Sequence, residues 1–255
     1  MPDLEPLQYL LLAAGGAVAG AVNAVAGGGS LISFPLLIAV GLKPLPANAT
    51  NLVALLPGYL GGTVAYRREL GGQGARIKAL GATSAVGAGA GTALLLIAPA
   101  SAFDTLAPFL VLLACGLLAA QPALSRWVGA HRDRQAADHH GLGLHAAIFV
   151  ATVYGGYFGA GLGIMLLALL GSLLDDDLQR LNALKGLLSL VVGVVAATVV
   201  GLFGPVDWGA AAAVAAGSLL GGHLGVGVAR RLDENVLRWS VVVFGVVVAT
   251  WLLVR

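Results

Sequence analysis

The sequence predicts an all-α integral membrane protein made of two inverted repeats of about five helical segments each. Of the 255 residues, 58% are hydrophobic and 10% are charged, with a mean hydropathy of +0.92, whereas a soluble domain carries about 25% charged residues. The apolar runs are continuous and longer than the ~10-residue alternating segments of a membrane β-barrel, so they predict helices. The 38 glycines favour the close helix approach on which packing in lipid depends.

The first half of the chain contains five apolar segments, of medium, short, long, long and long extent. They are Leu7–Ala26, Ser30–Gly41, Pro46–Tyr66, Ile77–Pro99 and Phe103–Gln121. Three glycines, residues 27–29, separate the first two segments. The second segment is too short to cross ~30 Å of hydrocarbon, which takes about 20 residues. We therefore predict that it is either the returning arm of a re-entrant hairpin or a short broken crossing.

The second half repeats the same order after a polar linker. We predict a first repeat over 1–124, a cytoplasmic linker over 125–141 and a second repeat over 142–255. The second set of segments is Leu142–Phe158, Ile164–Leu174, Leu178–Phe203, Trp208–Ala229 and Val236–Val254. The short segment Ile164–Leu174 again follows a glycine-rich stretch, GAGLG at 159–163. A short broken or re-entrant helix pair is therefore expected in each repeat.

Local matches between the halves support a duplication. Aligning ANATN at 47–51 with LNALK at 181–185 places Asn48 over Asn182 and Asn51 over Lys185. Further along, the glycines of GAGAGT fall over those of GSLLGG. For these glycines (Gly87, Gly91, Gly217 and Gly221) we predict a role in close helix packing.

The distribution of basic residues predicts the orientation in the membrane. If the acidic N-terminus lies outside, eleven of the 14 Lys and Arg residues fall on the cytoplasmic side, as the positive-inside rule requires. These are Arg67, Arg68, Arg76, Lys78, Arg126, Arg132, Arg134, Arg180, Arg230, Arg231 and Arg238. The first repeat then begins outside and the second begins inside, so the repeats are inverted. Only Lys43 and Arg255 lie outside, and Lys185 is left within the membrane.

The two glycine breaks are the predicted binding site. In inverted-repeat transporters, interrupted helices meet near the midplane with half-helix N-termini toward the substrate. Such an N-terminus carries unpaired N–H groups and about half a positive charge, which suits an anion. The predicted substrate-binding residues are Gly27, Gly28, Gly29, Ser30, Asn48, Asn51, Gly159, Gly161, Gly163, Asn182, Lys185 and Ser189.

A polar stripe accompanies the second break. In a helix over 178–203, Asn182, Lys185 and Ser189 share one face at i, i+3 and i+7. A lysine within an apolar run is costly and is functional by default. The alternative is a lysine that extends to the inner membrane surface. Asn48 and Asn182 have a structural alternative too, as interhelical hydrogen bonds.

The position of the acidic residues favours an anionic substrate. All 12 Asp and Glu residues fall in loops or at segment ends, so no carboxylate is expected at mid-membrane to bind a cation or relay protons. The run Asp175–Asp177 could suggest a metal site, but an acidic helix N-cap is the preferred interpretation. With one cysteine, Cys115, the chain offers no thiol pair. We expect neither a metal nor a cofactor.

The sequence resembles the sulfite exporter TauE/SafE family of membrane permeases. The resemblance is carried by AGGGSLISFPLLIAVGL at 26–42, PANATN at 46–51, AYRREL at 65–70 and, more loosely, GAGLGIM at 159–165. It extends over nearly the whole chain. It implies export or uptake of sulfite, sulfoacetate or another organosulfonate, while the residue spacing alone supports a small anion.

Together these features predict a multi-pass transporter of the cytoplasmic membrane that is not an enzyme. It would move a small anion by alternating access, with the lipid bilayer as its other partner and no nucleic acid. A passive anion channel and, less favoured, a membrane-embedded enzyme are the alternatives. The sequence leaves a homodimer open.

Overall fold

The protein is all-α in the computed structural model, which describes residues 4–26, 28–130, 141–229 and 234–254. Within these ranges there are eleven helices and no strand. They are α1 (Pro6–Ala26), α2 (Ser30–Ala39), α3 (Pro44–Ala54), α4 (Leu56–Ala65), α5 (Gly74–Ile97), α6 (Ala100–Ala130), α7 (Leu142–Tyr157), α8 (Leu162–Leu173), α9 (Leu178–Phe203), α10 (Trp208–Ala229) and α11 (Glu234–Val254).

The third apolar run of the first half is two helices rather than the predicted single one. Residues 46–66 divide into α3 and α4, which join at Leu55. Pro57 explains the division, because a proline inside a helix lacks the N–H for the backbone ladder and its ring clashes with the preceding turn. The matching run of the second half has no proline and forms α9, one helix of 26 residues.

The last helix of the first half is longer than predicted. The apolar run ends at Gln121, but α6 continues to Ala130, into the predicted linker, despite Pro108 and Pro122. At 1.5 Å per residue, its 31 residues span roughly 46 Å, more than the ~30 Å hydrocarbon core. Linker residues 131–140 lie outside the described residues, as do residues 230–233.

The first short helix runs back along the helix that precedes it. The side-chain nitrogen of Gln8, near the start of α1, donates to the carbonyl oxygen of Val40, at the end of α2, over 3.4 Å. At the other end of α2, Gly29 lies against Ala19 of α1. These contacts fit the returning arm of a hairpin. In the second half, α8 likewise packs against α7.

The helices of the two halves pack extensively on each other. The contacting pairs are α1 with α10, α5 with α7, α2 with α11, α6 with α8, α3 and α4 with α10, α5 with α9, α3 and α4 with α9, and α6 with α11. The closest approaches occur at glycines. A Cβ at Gly217 or Gly221 would clash with the α1 backbone, and one at Gly87 or Gly91 would clash with α7. The predicted packing role of these four glycines is confirmed.

The outer surface of the bundle is strongly apolar. Exposed side chains include Ile97, Leu142, Leu202 and Phe203, each more than 70% accessible. In the described part of the chain, α5, α9 and the Ala100–Leu124 part of α6 are long and apolar enough to cross a bilayer. Large apolar side chains facing outward on such helices are typical of lipid contact. The fold is that of a multi-pass membrane protein.

Candidate functional site

A small buried cavity lies where the two halves meet. Its volume is about 10 Å³, room for about one water molecule. Residues from α2, α3, α4, α7, α8 and α9 contribute to its wall, so both halves are needed to form it. The lining residues are Ser30, Asn51, Leu52, Leu55, Tyr59, Gly155, Gly159, Leu162, Ser189, Val192, Gly193 and Ala196.

Both chain breaks open onto this cavity. Ser30, the first residue of α2, lines it from the first break, and Gly159 lines it from the second. Leu162, the first residue of α8, is also in the wall. Because Ser189 lies near the middle of the 26-residue α9, the cavity sits midway along that helix. The structure thus brings together Ser30, Asn51, Gly159 and Ser189 of the predicted set.

The second break depends on two left-handed glycines. Gly159 has φ +82° and Gly161 has φ +78°, a conformation that costs other residues strain. The Tyr154 hydroxyl donates to the Ala160 carbonyl over 2.6 Å and fixes the turn. Asn48, fully buried on α3, donates through Nδ2 to the carbonyl of Tyr157 over 2.9 Å, at the end of α7. Asn48 therefore stabilises the second break through this hydrogen bond and does not line the cavity.

The first break is formed by close packing. Gly29 precedes α2 with an ordinary right-handed φ of −56°. A Cβ on Gly29 would clash with the Ala19 carbonyl, and one on Gly28 would contact Leu118 at 3.2 Å. Both glycines are buried but outside the cavity wall. Gly27 lies outside the described residues.

Neutral polar groups line part of the cavity. Ser30 and Tyr59 are joined by a side-chain hydrogen bond. Asn51 accepts through Oδ1 from the Ser33 hydroxyl over 2.5 Å. Ser189 is 4% exposed, and its Oγ has no hydrogen-bond partner among the described residues. A buried polar group of this kind costs free energy unless something binds it.

The N-terminal part of the predicted polar stripe on α9, Asn182 and Lys185, lies outside the cavity. Lys185 donates through Nζ to Oδ1 of Asn182 over 3.1 Å. Gly163 is beside it, since a Cβ there would lie 3.9 Å from the Lys185 Cδ. Lys185 makes no ion pair with any residue that the structure describes. It is one helical turn before Ser189, so it flanks the cavity without lining it.

Eight of the twelve lining residues fall outside the predicted site, and two of these eight are in contact with each other. Tyr59 on α4 and Gly193 on α9 face each other, and a Cβ at Gly193 would lie 3.1 Å from the Tyr59 ring. Gly193 follows Ser189 by one helical turn, so extending the polar stripe toward the C-terminus of α9 would have found it. Nothing in the sequence around Tyr59 indicates which way its ring points.

An ionic tie, formed by Arg76, Asp176 and Arg180, joins the halves near the start of α9. The Asp176 carboxylate accepts from Arg76 Nη1 at 2.5 Å and from Arg180 Nε at 2.9 Å. Burial by itself raises the pKa of Asp176, but the Asp177 N–H, the Arg76 hydrogen bond and the two arginine charges together hold that pKa below 3.8. Asp177 accepts from Gln179 N and caps α9, so the predicted acidic N-cap is confirmed.

A neutral tie, formed by Thr50 and Asp207, joins the halves beyond the other end of α9. The Thr50 hydroxyl accepts from the Asp207 backbone N–H over 3.0 Å. The Asp207 carboxylate accepts from the Ala210 N–H, also at 3.0 Å, and caps α10. The 26 residues of α9 lie between the two ties, so the halves are joined near each end of that helix.

The wall of the cavity contains no acidic or basic side chain. In residues 4–26, 28–130, 141–229 and 234–254, no three His, Cys, Asp or Glu side chains cluster as a metal site would require. Side-chain hydroxyl and amide groups beside two helix starts are suited to bind the oxygens of a small anion.

Comparison with known proteins identifies the family. The profile of the family described as sulfite exporter TauE/SafE matches residues 12–252. The chain is 27% identical to a probable membrane transporter protein of Haemophilus influenzae, over 89% of this chain and 88% of that one. It is 25% identical to the probable membrane transporter protein ORF9 of a Sinorhizobium species, over 97% and 92%. It is also 26% identical to the probable membrane transporter protein YfcA of Escherichia coli K12, over 92% and 86%.

No solved structure matches the chain. The family profile covers almost its full length, and the relatives match over nearly all of theirs. With the apolar helical bundle, this makes the protein a membrane permease. The chain belongs to the sulfite exporter TauE/SafE family.

Proposed function

We propose that the protein is a secondary transporter that carries a small anion, sulfite or an organosulfonate such as sulfoacetate, across the cytoplasmic membrane by alternating access. The observation that supports this most is the shared cavity. Both chain breaks open onto it, midway along α9, and a buried Ser189 hydroxyl without a partner is in its wall. A midplane site between two interrupted helices is the arrangement expected of such carriers.

The packing of the helices supports two inverted repeats, expected over 1–124 and 142–255 and formed by α1–α6 and α7–α11, with α6 continuing to Ala130 in the linker 125–141. Let α3 with α4 correspond to α9, and let the other helices correspond in order. Under this correspondence, the contact of α1 with α10 matches the contact of α7 with α5, and the contact of α2 with α11 matches that of α8 with α6. The contacts of α3 and α4 with α10 likewise match the contact of α9 with α5. An exchange of this kind is what a two-fold axis in the membrane plane would produce.

Anion selection follows from what surrounds the cavity. Its wall has hydroxyl and amide groups from Ser30, Asn51, Tyr59 and Ser189 and no carboxylate. The starts of α2 and α8 add partial positive charge. Lys185, held by Asn182 one turn away, supplies a full charge that draws anions toward the cavity from its cytoplasmic side. The family description, sulfite exporter, supports a sulfur oxoanion or sulfonate, which the protein moves without chemical change.

The two ties are the proposed gates. With the N-terminus outside and the basic loops inside, the ionic tie faces the cytoplasm and the neutral tie faces the opposite side. Both are closed around a cavity of about 10 Å³, too small for a four-atom oxoanion, so each must open in turn. Each tie joins one half to the other, so its opening lets the halves move apart at that end.

Transport is tested in proteoliposomes containing the purified protein. We expect saturable uptake of labelled sulfite or of a labelled sulfonate, and counterflow of label when the vesicles are preloaded with unlabelled substrate. Flux without saturation or counterflow would instead indicate a channel. No flux of sulfite, thiosulfate or any sulfonate above that of empty vesicles would contradict the proposal.

Two substitutions examine the site itself. Ser189→Ala should reduce flux strongly, because it removes the unpartnered hydroxyl of the wall. Ser84→Ala is the matched control, since the Ser84 hydroxyl is also buried without a partner but lies outside the cavity. Lys185→Ala should reduce the apparent affinity for the anion. If Lys185→Ala transports as well as the parent, the assigned role of the lysine is wrong.

A further inference from the structure

We infer that the cavity binds singly charged anions, hydrogen sulfite and monoanionic sulfonates, and excludes dianions, including sulfate, the fully ionised sulfite ion and sulfoacetate. This inference rests on the proposed function and narrows its substrates: it keeps sulfite as the singly charged ion and sulfonates with one charge, and it sets sulfoacetate aside. It is argued from a cavity wall that has no charged side chain, contains the unpartnered Ser189 hydroxyl and lies beside two helix starts.

The charge available to the ligand is small. None of the twelve lining residues is ionised at neutral pH. Each helix start contributes about half a positive charge, so the starts of α2 and α8 together compensate about one negative charge. Lys185 adds its charge outside the wall, with Nζ bonded to Asn182 Oδ1, and therefore does not replace water around a second anionic group.

The penalty for a second negative charge is steep. The cost of moving an ion out of water rises with the square of its charge, so a dianion costs about four times as much as a monoanion of similar size. Hydrogen bonds from neutral hydroxyl and amide groups cannot offset this difference at a site with so few donors. The remaining wall consists largely of Leu52, Leu55, Leu162, Val192 and Ala196, which offer no hydrogen-bonding group to a second anionic end.

The wall can nonetheless satisfy one oxyanion group. Ser189 Oγ is free to donate. Asn51 lines the cavity, and because its Oδ1 already accepts from Ser33, its amide nitrogen is the group left to donate to a ligand. Ser30 and Tyr59 share one hydrogen bond. The hydroxyl that is not donating in that bond can donate to a ligand oxygen. A single anionic head with a small or apolar remainder fits this combination of groups.

Four labelled substrates test the inference in proteoliposomes of the unmodified protein: sulfite, methanesulfonate, sulfoacetate and sulfate. At neutral pH we expect flux of methanesulfonate and sulfite, and flux of sulfoacetate and sulfate lower by about tenfold or more. Sulfoacetate or sulfate flux equal to that of methanesulfonate would overturn the inference and leave the proposed function standing. Absence of flux for all four would instead contradict the proposed function.

The pH dependence separates the charge state of the substrate from that of the protein. With equal pH on both sides, sulfite flux should fall about tenfold for each pH unit above the second ionisation of sulfurous acid. Methanesulfonate remains a monoanion throughout, so its flux should stay level. The titratable and charged groups on the helices around the cavity are Tyr59 on α4, His145, Tyr154 and Tyr157 on α7, Arg180 and Lys185 on α9, and Cys115 on the adjacent α6. Their ionisation would alter both fluxes together.

Protein-free vesicles measure the leak of uncharged sulfur dioxide, which is subtracted at each pH. A sulfite flux that rises with pH while methanesulfonate stays level would show that the dianion is the species carried, and would overturn the inference.

Discussion

The two chain breaks that meet at the cavity produce a similar result by different physical means. At the first break, Gly29 keeps a right-handed backbone and is needed for space, because α1 lies directly against it. At the second, Gly159 and Gly161 adopt positive φ, and Tyr154 fixes the turn between them. The neighbours of Gly161 leave room for a Cβ, with the nearest atom at 3.4 Å. The same residue type therefore serves packing in one half and conformation in the other.

The open ends of the two hairpins differ as well. The end of α2 is joined to α1 by a neutral bond from Gln8 to Val40. Beyond the end of α8, Asp176 forms the ionic tie with Arg76 and Arg180. Different interactions therefore stabilise the open ends of the two hairpins. Single substitutions should therefore affect the two halves differently.

The largest effect is expected at the first break. Gly29→Ala places a methyl group against the Ala19 carbonyl and 2.8 Å from the Asn23 Cβ, so α2 must move away from α1. Overpacking of this kind costs about 1–3 kcal/mol. Thermal unfolding in detergent should show a clearly lower midpoint. Gly116→Ala is the control, because no atom lies within 4 Å of the new Cβ. Equal midpoints for the two variants would contradict the packing role.

A smaller loss is expected at the second break, for a different reason. Gly161→Ala meets no serious clash but forces alanine into a left-handed conformation at about 1–2 kcal/mol. Gly161→Asn should recover most of the lost stability, because asparagine tolerates this conformation. At Gly29 the same change to asparagine should give no recovery. If Asn and Ala destabilise equally at position 161, space rather than conformation limits the second break too.

Tyr154→Phe tests the tyrosine hydrogen bond that fixes the turn of the second break. The change removes the donor to the Ala160 carbonyl and keeps the ring beside Phe158. A lost hydrogen bond of this type should cost ~1 kcal/mol. The unfolding midpoint should fall slightly, while Tyr66→Phe, at an exposed tyrosine, should leave it unchanged. No difference between these variants would mean that Tyr154 does not stabilise the turn.

The smallest effect is a dependence on pH from Asp176. Its pKa is below 3.8 in the folded protein, so the carboxylate contributes stability that is present above the unfolded pKa. That contribution is lost as pH falls through the lowered folded value. Melting midpoints measured from neutral pH into this acid range should drop less in Asp176→Asn than in the parent. Identical pH profiles would show that the ionic tie does not contribute to stability.

Much of the helical pattern is predictable because apolar runs fix where helices begin and end. The predicted Leu178–Phe203 matches α9, and Ser30–Gly41 differs from α2 only at its end. The division at Leu55 could have been predicted from Pro57, but apolar length alone suggested one helix. The extension of α6 to Ala130 was missed, because a helix can leave the membrane without changing its hydrogen bonds.

The cavity is only partly predictable, because sequence spacing gives the depth of a residue better than its direction. Ser30, Asn51, Gly159 and Ser189 were predicted and line it. Asn48 was predicted at a similar depth, but it turns toward the Tyr157 carbonyl. Lys185 and Asn182 bond to each other one turn away. Rotation about a helix axis is set by tertiary packing, such as Tyr59 against Gly193, and no local pattern encodes it.

The joint at Leu55 makes the paired central spans mechanically unequal. Leu55 and Tyr59 touch the cavity at and just beyond the joint, while α9 passes the opposite wall without interruption. A bend at this joint can move Tyr59 away from Asn51 while α9 stays in place. In the proposed carrier mechanism, transport driven by equal gradients from the two sides should therefore proceed at unequal rates, although both directions reach the same equilibrium.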